Sequence, residues 1–193
     1  MLSNFPLPKK HWLALAVLSG LSVLIHLLPE SLPGLWDFVR EDLEHGAYWL
    51  LFSHALAHTN HFHLLLNLAG IVLLWALHGE YYSTRLIVLS YLFIVPFSAL
   101  GVWWLSPHID NYVGLSAYLH GLFVIGACKD IAFKKITGSV LLLGLGIKLY
   151  LEQISDDDST ARLIEANVAH DAHIYGAVGG LLFYLILRGF QKV

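Results

Sequence analysis

What most constrains this chain is the recurrence of long apolar stretches joined by short polar segments. Six stretches, at approximately 11–29, 61–79, 84–105, 113–128, 138–153 and 168–187, carry few or no charges. About 20 mostly apolar residues make a helix long enough to cross the hydrocarbon of a bilayer, and a helix satisfies its own backbone hydrogen bonds there. Composition points the same way, with 57% of the 193 residues hydrophobic and 13% charged, against about 25% charged in soluble domains. The expectation is one all-α, polytopic membrane domain over 1–193, built as a bundle of six transmembrane helices. Disorder is excluded, because disordered chains are poor in apolar residues. Nucleic-acid binding is not expected, since a net charge of −3 offers phosphate no basic field. The single cysteine, Cys128, makes neither an internal disulfide nor a thiolate zinc site and reads as a small buried hydrophobe.

Two of the stretches need comment. The first follows Lys9 and Lys10 as a signal peptide would, but it runs into Pro29 and Glu30 without a small-x-small cleavage site, so it reads as a span. The fifth is the weakest, because only 138–147 is free of charge before Lys148 and Glu152. That predicts a short or tilted helix, with a snorkelling Lys148 and Glu152 as an exposed surface acid. Basic residues concentrate in short cytoplasmic joints. With the N-terminus inside, Lys9, Lys10, Arg85, Lys129, Lys134, Lys135, Arg188 and Lys192 all fall on the inner side, eight of the eleven Lys and Arg. Arg40 and Arg162 fall outside, with the acids of 37–44 and with Asp156, Asp157 and Asp158. Both termini are therefore expected in the cytoplasm, in the inner (plasma) membrane, and the second, fourth and sixth spans enter from the outer face. The stretch 35–44, with Trp36 and Phe38 among acids, reads as an amphipathic segment on the interface.

Ionisable groups inside spans are costly and are functional hypotheses by default. His63 and Asn67 are four residues apart just inside the second span, so they project from one face a turn apart in depth. Ser116 lies near the start of the fourth span, where backbone N–H groups without intrahelical partners attract developing negative charge. His173 lies near the start of the sixth, and Gly176 and Gly180 continue its face. Such small-xxx-small spacing lets a partner helix approach closely, and Ala117 with Gly121 gives the fourth span a matching seam. If the seams pack, a hydrogen bond between Ser116 and His173 becomes geometrically reasonable. A nucleophile, a base and oxyanion donors delivered to one depth are the parts for acyl transfer by a serine. His120, one turn below Ser116, is a rival base, though it sits on the serine's own helix. His170 reads as lining a water entrance, His61 as interfacial, and His54 and His58 as structural.

At these residues the chain resembles the rhomboid family of intramembrane serine proteases. The resemblance rests on His54, His58, His63 and Asn67, on Gly114-Leu115-Ser116-Ala117, and on Ala172-His173 with Gly176 and Gly180. It implies Ser116 as nucleophile, His173 as general base and then acid, and His63, Asn67 and the Ser116 amide as oxyanion hole. It also implies a dyad without an acidic third member, and Asp171 points to another helix face than His173. Ala117 stands where the family usually has glycine, a methyl that shifts Ser116 unless a partner accommodates it. The compact chain and the form Gly-Leu-Ser-x-x-Leu-His-Gly ending at Gly121 look most like the rhombosortase subgroup. That implies exported, membrane-anchored substrates with C-terminal transmembrane or sorting tails, cut near the outer membrane face, with no cofactor and no metal. Two other classes stand beside this reading. One is an inactive rhomboid-like protein that binds transmembrane clients. The other is a His-rich metal transporter using His54, His58, His61 and His63, against which stands the absence of HExxH.

Overall fold

A computed structural model describes residues 11–28, 35–154 and 159–190. Long helices form at α1 (Leu13–His26), α4 (His61–His78), α5 (Thr84–Leu105), α6 (Ser116–Ala132), α7 (Ile136–Ile154) and α9 (His170–Phe190). Short elements fill the joints: β1 (Phe38–Val39), α2 (Arg40–Glu44), α3 (Leu50–Ser53), β2 (Asn111–Tyr112) and α8 (Ser159–Ile164), with 3-10 turns at His54–Leu56 and Gly79–Tyr81. Three segments are long and apolar enough to cross a membrane, namely His61–Tyr81, Thr84–Leu105 and His170–Phe190. The other long helices miss that measure for separate reasons. α1 has 14 residues, about 21 Å at 1.5 Å per residue. α6 is the central helix, with eleven of its 17 residues buried, so its environment is protein and strong hydropathy is not required of it. α7 carries Lys148 and Glu152. Lys9, Lys10, Pro29, Glu30, the three aspartates Asp156, Asp157 and Asp158, and Lys192 lie outside the described residues.

Local chemistry sets the helix starts that matter for the site. Asn60 caps α4 by accepting the His63 N–H at 2.9 Å, satisfying one of the orphan donors of the first turn. Ser83 does the same for α5 through Leu86 N–H at 3.2 Å. α6 packs against α4, α5, α7 and α9, and Ile94, Leu115, Tyr118, Leu122 and Ile125 form the middle of the core. Outward, Leu65, Leu73, Leu92, Leu143 and Leu185 are each more than half exposed. An apolar girdle of that extent suits lipid rather than water.

In the stretch 35–44, expected as an amphipathic interfacial segment, an aromatic counted toward the apolar face turns into the protein. Phe38 and Leu43 are fully buried, and β1 pairs antiparallel with β2, Phe38 opposite Tyr112. Arg40 fixes it in place by donating to the carbonyls of Val102, Trp103, Ser106 and Ile109 at 2.6–3.1 Å. These include orphan C-terminal carbonyls of α5, which a guanidinium fork satisfies well. The segment is thus part of the scaffold beneath the loop that leads into α6.

Candidate functional site

The turn into α6 decides where Ser116 stands. Gly114 has φ +113°, a backbone region that side chains disfavour, and its N–H donates to the His54 carbonyl at 3.0 Å. A Cβ at Gly114 would also run into the ring of His63. Leu115 is the N-cap and Ser116 the first helical residue, so the Ser116 amide has no acceptor within its own helix.

His173 comes to Ser116 because α6 and α9 interlock. A Cβ on Gly176 would collide with the Ala117 carbonyl, and one on Gly180 with the Gly121 carbonyl. The methyl of Ala117 is accommodated. Ala117 is buried in a cluster with Ala172 and Tyr112, and opposite its backbone Gly176 has no side chain. At this spacing His173 Nε2 lies 2.9 Å from Ser116 Oγ. A hydroxyl at hydrogen-bond distance from an imidazole nitrogen is the arrangement in which histidine can take the proton as the oxygen attacks.

The other nitrogen of His173 corrects the reading of Glu152 as an exposed surface acid. Nδ1 lies 3.1 Å from Glu152 Oε2; the carboxylate side chain is 20% exposed and that of His173 8%. The second carboxylate oxygen accepts from Lys148 Nζ at 2.5 Å and is 3.8 Å from His170 Nδ1. Lys148 also donates to His120 Nε2 at 3.1 Å, so it does not snorkel away. Glu152 is held inward because the C-terminal end of α7 leans against the start of α9, where a half-buried carboxylate finds a donor it would lack in lipid. An acid at the depth of the serine in a long helix is itself a signal; reading it as an exposed surface acid beside a snorkelling Lys148 hides it.

His120 does not reach the serine hydroxyl. Its Nδ1 donates to the Ser116 carbonyl at 2.7 Å, and its ring stacks on His173 with centroids 4.3 Å apart and planes 16° from parallel. Asp171 faces away, accepting from Ser106 Oγ at 2.5 Å beside His108 at 3.5 Å.

On the opposite wall His63 lines the cavity with Ser116. The Thr59 N–H points at His63 Nδ1 at 3.4 Å, which makes Nδ1 the acceptor and leaves the proton on Nε2. Thr59 was not singled out in sequence; its hydroxyl also donates to the Ile164 carbonyl at 3.2 Å. Asn67 sits a turn deeper, buried, donating one amide hydrogen to the His63 carbonyl at 3.2 Å with its nitrogen over Gly114.

His54 and His58 lie outside the spans and support this wall. His54 Nδ1 donates to the Leu50 carbonyl at 2.8 Å and its Nε2 accepts from Tyr112 OH at 2.9 Å. Burial holds its pKa down to about 4. His58 packs edge-on against His63, ring centroids 5.0 Å apart; burial, then the neighbouring His63, takes its pKa down to about 3. His61 pairs instead with His26 at 2.6 Å, so the four histidines do not converge on one point. Among the described residues, His120, Glu152 and His173 form a group whose ligand atoms lie within 4.8 Å of one another. The Lys148 ammonium bonds to both His120 and Glu152, a position a divalent cation would have to take from it.

Ser116 faces a cavity of about 840 Å³, lined also by Thr59, His63, Tyr112, Glu152 and His170 among others. Water and an extended peptide both fit a space of that size and polarity. A family model described as Rhomboid domain matches residues 45–190 of the chain, which covers all of these residues. No curated protein matches it.

Proposed function

Because the chain belongs to the rhomboid family, we propose that it is an intramembrane serine endopeptidase in which Ser116 is the nucleophile and His173 the general base. The observation that carries this reading is the 2.9 Å approach of His173 Nε2 to Ser116 Oγ across the α6–α9 seam. In the reaction, Ser116 Oγ bonds to the scissile carbonyl carbon as its proton passes to His173 Nε2. The carbonyl electrons move onto oxygen, where His63 Nε2–H, an Asn67 amide hydrogen and the Ser116 N–H oppose the new charge. His173 then gives its proton to the departing amine, and water repeats the sequence on the acyl enzyme.

The substrates we assign are exported proteins anchored by a C-terminal transmembrane or sorting tail. Small residues at the cut suit a helix that must unwind, since glycine and serine hold helical structure poorly. The six long helices then span the inner membrane with both termini cytoplasmic, as the basic residues at 85, 129, 134, 135 and 188 favour, and the cavity opens to the non-cytoplasmic side.

The test uses the purified full chain in detergent with a fluorophosphonate probe, and a co-expressed exported reporter carrying a Gly/Ser-rich tail, an apolar anchor and a basic end. Labelling of the wild type that is lost in Ser116→Ala and His173→Ala, with reporter release following the same pattern, is the expected result. A folded wild type that binds the tail yet neither labels nor cuts would replace this reading with a client-binding one. Release of other membrane anchors but not of this tail would keep the protease and remove the substrate class.

A further inference from the structure

The dyad expected from the resemblance leaves the second nitrogen of His173 without a dedicated partner. Here it has one, on a helix that contributes nothing else to the reaction. Glu152 Oε2 faces Nδ1 at 3.1 Å while Nε2 faces the serine at 2.9 Å. An ionised carboxylate only accepts hydrogen bonds, so this contact fixes the ring proton on Nδ1 and leaves the Nε2 lone pair for the serine proton.

We propose that Glu152 is a positioning residue for the Ser116–His173 pair, holding His173 in the tautomer and orientation that accept the serine proton and offsetting the imidazolium charge that then forms. The inference rests on the function proposed above. Glu152 keeps its own ionisation throughout. The serine proton moves to Nε2, the Nδ1 proton stays on Nδ1, and the positive ring faces a negative carboxylate until the proton leaves with the amine.

An exposed Lys148–Glu152 i, i+4 pair would matter little, because water screens such pairs and their side chains lose freedom in forming them. Three observations separate this carboxylate from that case. Glu152 is 20% exposed where Lys148 is 49%. Its two oxygens are divided, one to Lys148 and the other to His173. The lysine also continues to His120, which stacks on the far side of the same histidine. Glu152, His173, His120 and Lys148 thus form a closed ring of contacts, and displacing the carboxylate disturbs each member.

Five groups bear on the charge of His173: His120 on α6, Lys148 and Glu152 on α7, His170 on α9 and His63 on α4. Two of them carry fixed opposite charges, which gives the proposal a readout that a packing role would not move. The rate of fluorophosphonate labelling of the full-length protein is measured across pH for wild type, Glu152→Gln, Glu152→Asp and Lys148→Met, with thermal midpoints recorded for each. Glu152→Gln is expected to slow labelling about 10²-fold. That is less than the about 10⁴-fold seen when the buried aspartate of a soluble triad becomes an amide, since Glu152 is partly solvated. Its acidic limb moves to lower pH. Glu152→Asp recovers part of the rate, and Lys148→Met moves the limb the other way by leaving the carboxylate uncompensated. Wild-type rates and an unshifted limb in a folded Glu152→Gln would overturn the proposal while Ser116→Ala and His173→Ala still sustain the serine protease. Shifts of the same sign in Glu152→Gln and Lys148→Met would overturn it too, by showing a packing effect. A wild type that does not label removes the reading beneath it, and the proposal with it.

Discussion

The two ends of the bundle carry the same three kinds of side chain and use them differently. At the serine end, His173 faces Glu152 with Lys148 beside it. At the other end, His78 Nε2 lies 3.4 Å from Asp130, with Lys135 3.2 Å from the same carboxylate. Asp130 also accepts from Tyr81 OH and from Thr137 Oγ1, both at 2.8 Å. That carboxylate is saturated, and it ties the end of α4 to the joint between α6 and α7. Nδ1 of His78 is buried without a hydrogen-bond partner among the described residues, pressed against Gly126 where no Cβ would fit. The nearby hydroxyls of Tyr81 and Thr137 bond to Asp130, and none is hydrogen-bonded to His78 Nδ1. A histidine, a carboxylate and a lysine therefore form a latch at one end and stand against a serine hydroxyl at the other. The difference is made by what the second histidine nitrogen meets.

The sharpest way to break this contrast is to remove one member at each end. Ser116→Ala should abolish fluorophosphonate labelling and proteolysis and leave the thermal midpoint where it was. Asp130→Ala should do the reverse, leaving Tyr81 and Thr137 without their acceptor and Lys135 with Glu80 as its remaining carboxylate. Losing half of a buried ion pair costs about 3–5 kcal/mol. Because Lys135 is a third exposed, about 2–3 kcal/mol is expected here, measured as a lower denaturation midpoint in detergent. Labelling per folded molecule should hold. A fall in labelling without a fall in stability would mean that the far end is part of the reactive machinery after all.

The same contrast explains what could be read from the sequence. Helix positions were legible because apolar runs and their polar joints record the period and length of a buried helix. The serine end was legible in Ser116, His173, His63 and the glycines because their spacings encode faces and depths. Glu152 was not, since an i, i+4 Lys–Glu pair looks the same in water as it does folded against a neighbouring helix. Only the lean of α7 toward α9 distinguishes the two. Phe38 misled for the opposite reason: an aromatic between acids suggests an interface, but Arg40 on the α5 carbonyls pulls the segment into the scaffold. The pairing of Asp130 with His78 joins residues 52 apart and depends on packing that no local pattern records.

Smaller changes sharpen the serine end. Asn67→Ala removes one oxyanion donor, a loss of about 2.7–4 kcal/mol of transition-state stabilisation, so weak cleavage should remain where Ser116→Ala leaves none. Equal and total loss in both, in folded proteins, would remove Asn67 from the oxyanion hole. Gly176→Ala puts a methyl into the Ala117 carbonyl one turn below His173. Overpacking of that kind costs about 1–3 kcal/mol, and here it should also slow labelling by widening the α6–α9 gap. Gly144→Ala on α7, where a Cβ meets nothing within 4 Å, serves as the control and should be neutral or slightly stabilising. If both glycine variants behave alike, close approach is not what the seam provides.

The smallest effect separates the two ends by pH. His54 and His58 are held neutral, their pKa values down to about 4 and about 3 through burial, against about 6.5 in an unfolded chain. The unfolded state therefore binds more protons below pH 6.5, so the stability that these residues contribute is complete above that pH and drains away as pH falls toward 4. Charging His54 also takes away the Nε2 lone pair that accepts from Tyr112, loosening the link to the Gly114 turn. At the opposite end a proton taken up by His78 meets the Asp130 carboxylate 3.4 Å away, a counter-charge that His54 and His58 lack. The Tyr81 hydroxyl, with Asp130 and Glu80, raises the Lys135 pKa against the effect of its burial, so its contribution is present at acid pH and is lost only far into alkali. Hydrogen exchange at pH 7.5 and pH 5, corrected for intrinsic rates, should show protection falling further over 54–60 than over 79–83. An equal fall in both segments would mean that acid loosens the whole bundle rather than the histidine wall behind the serine.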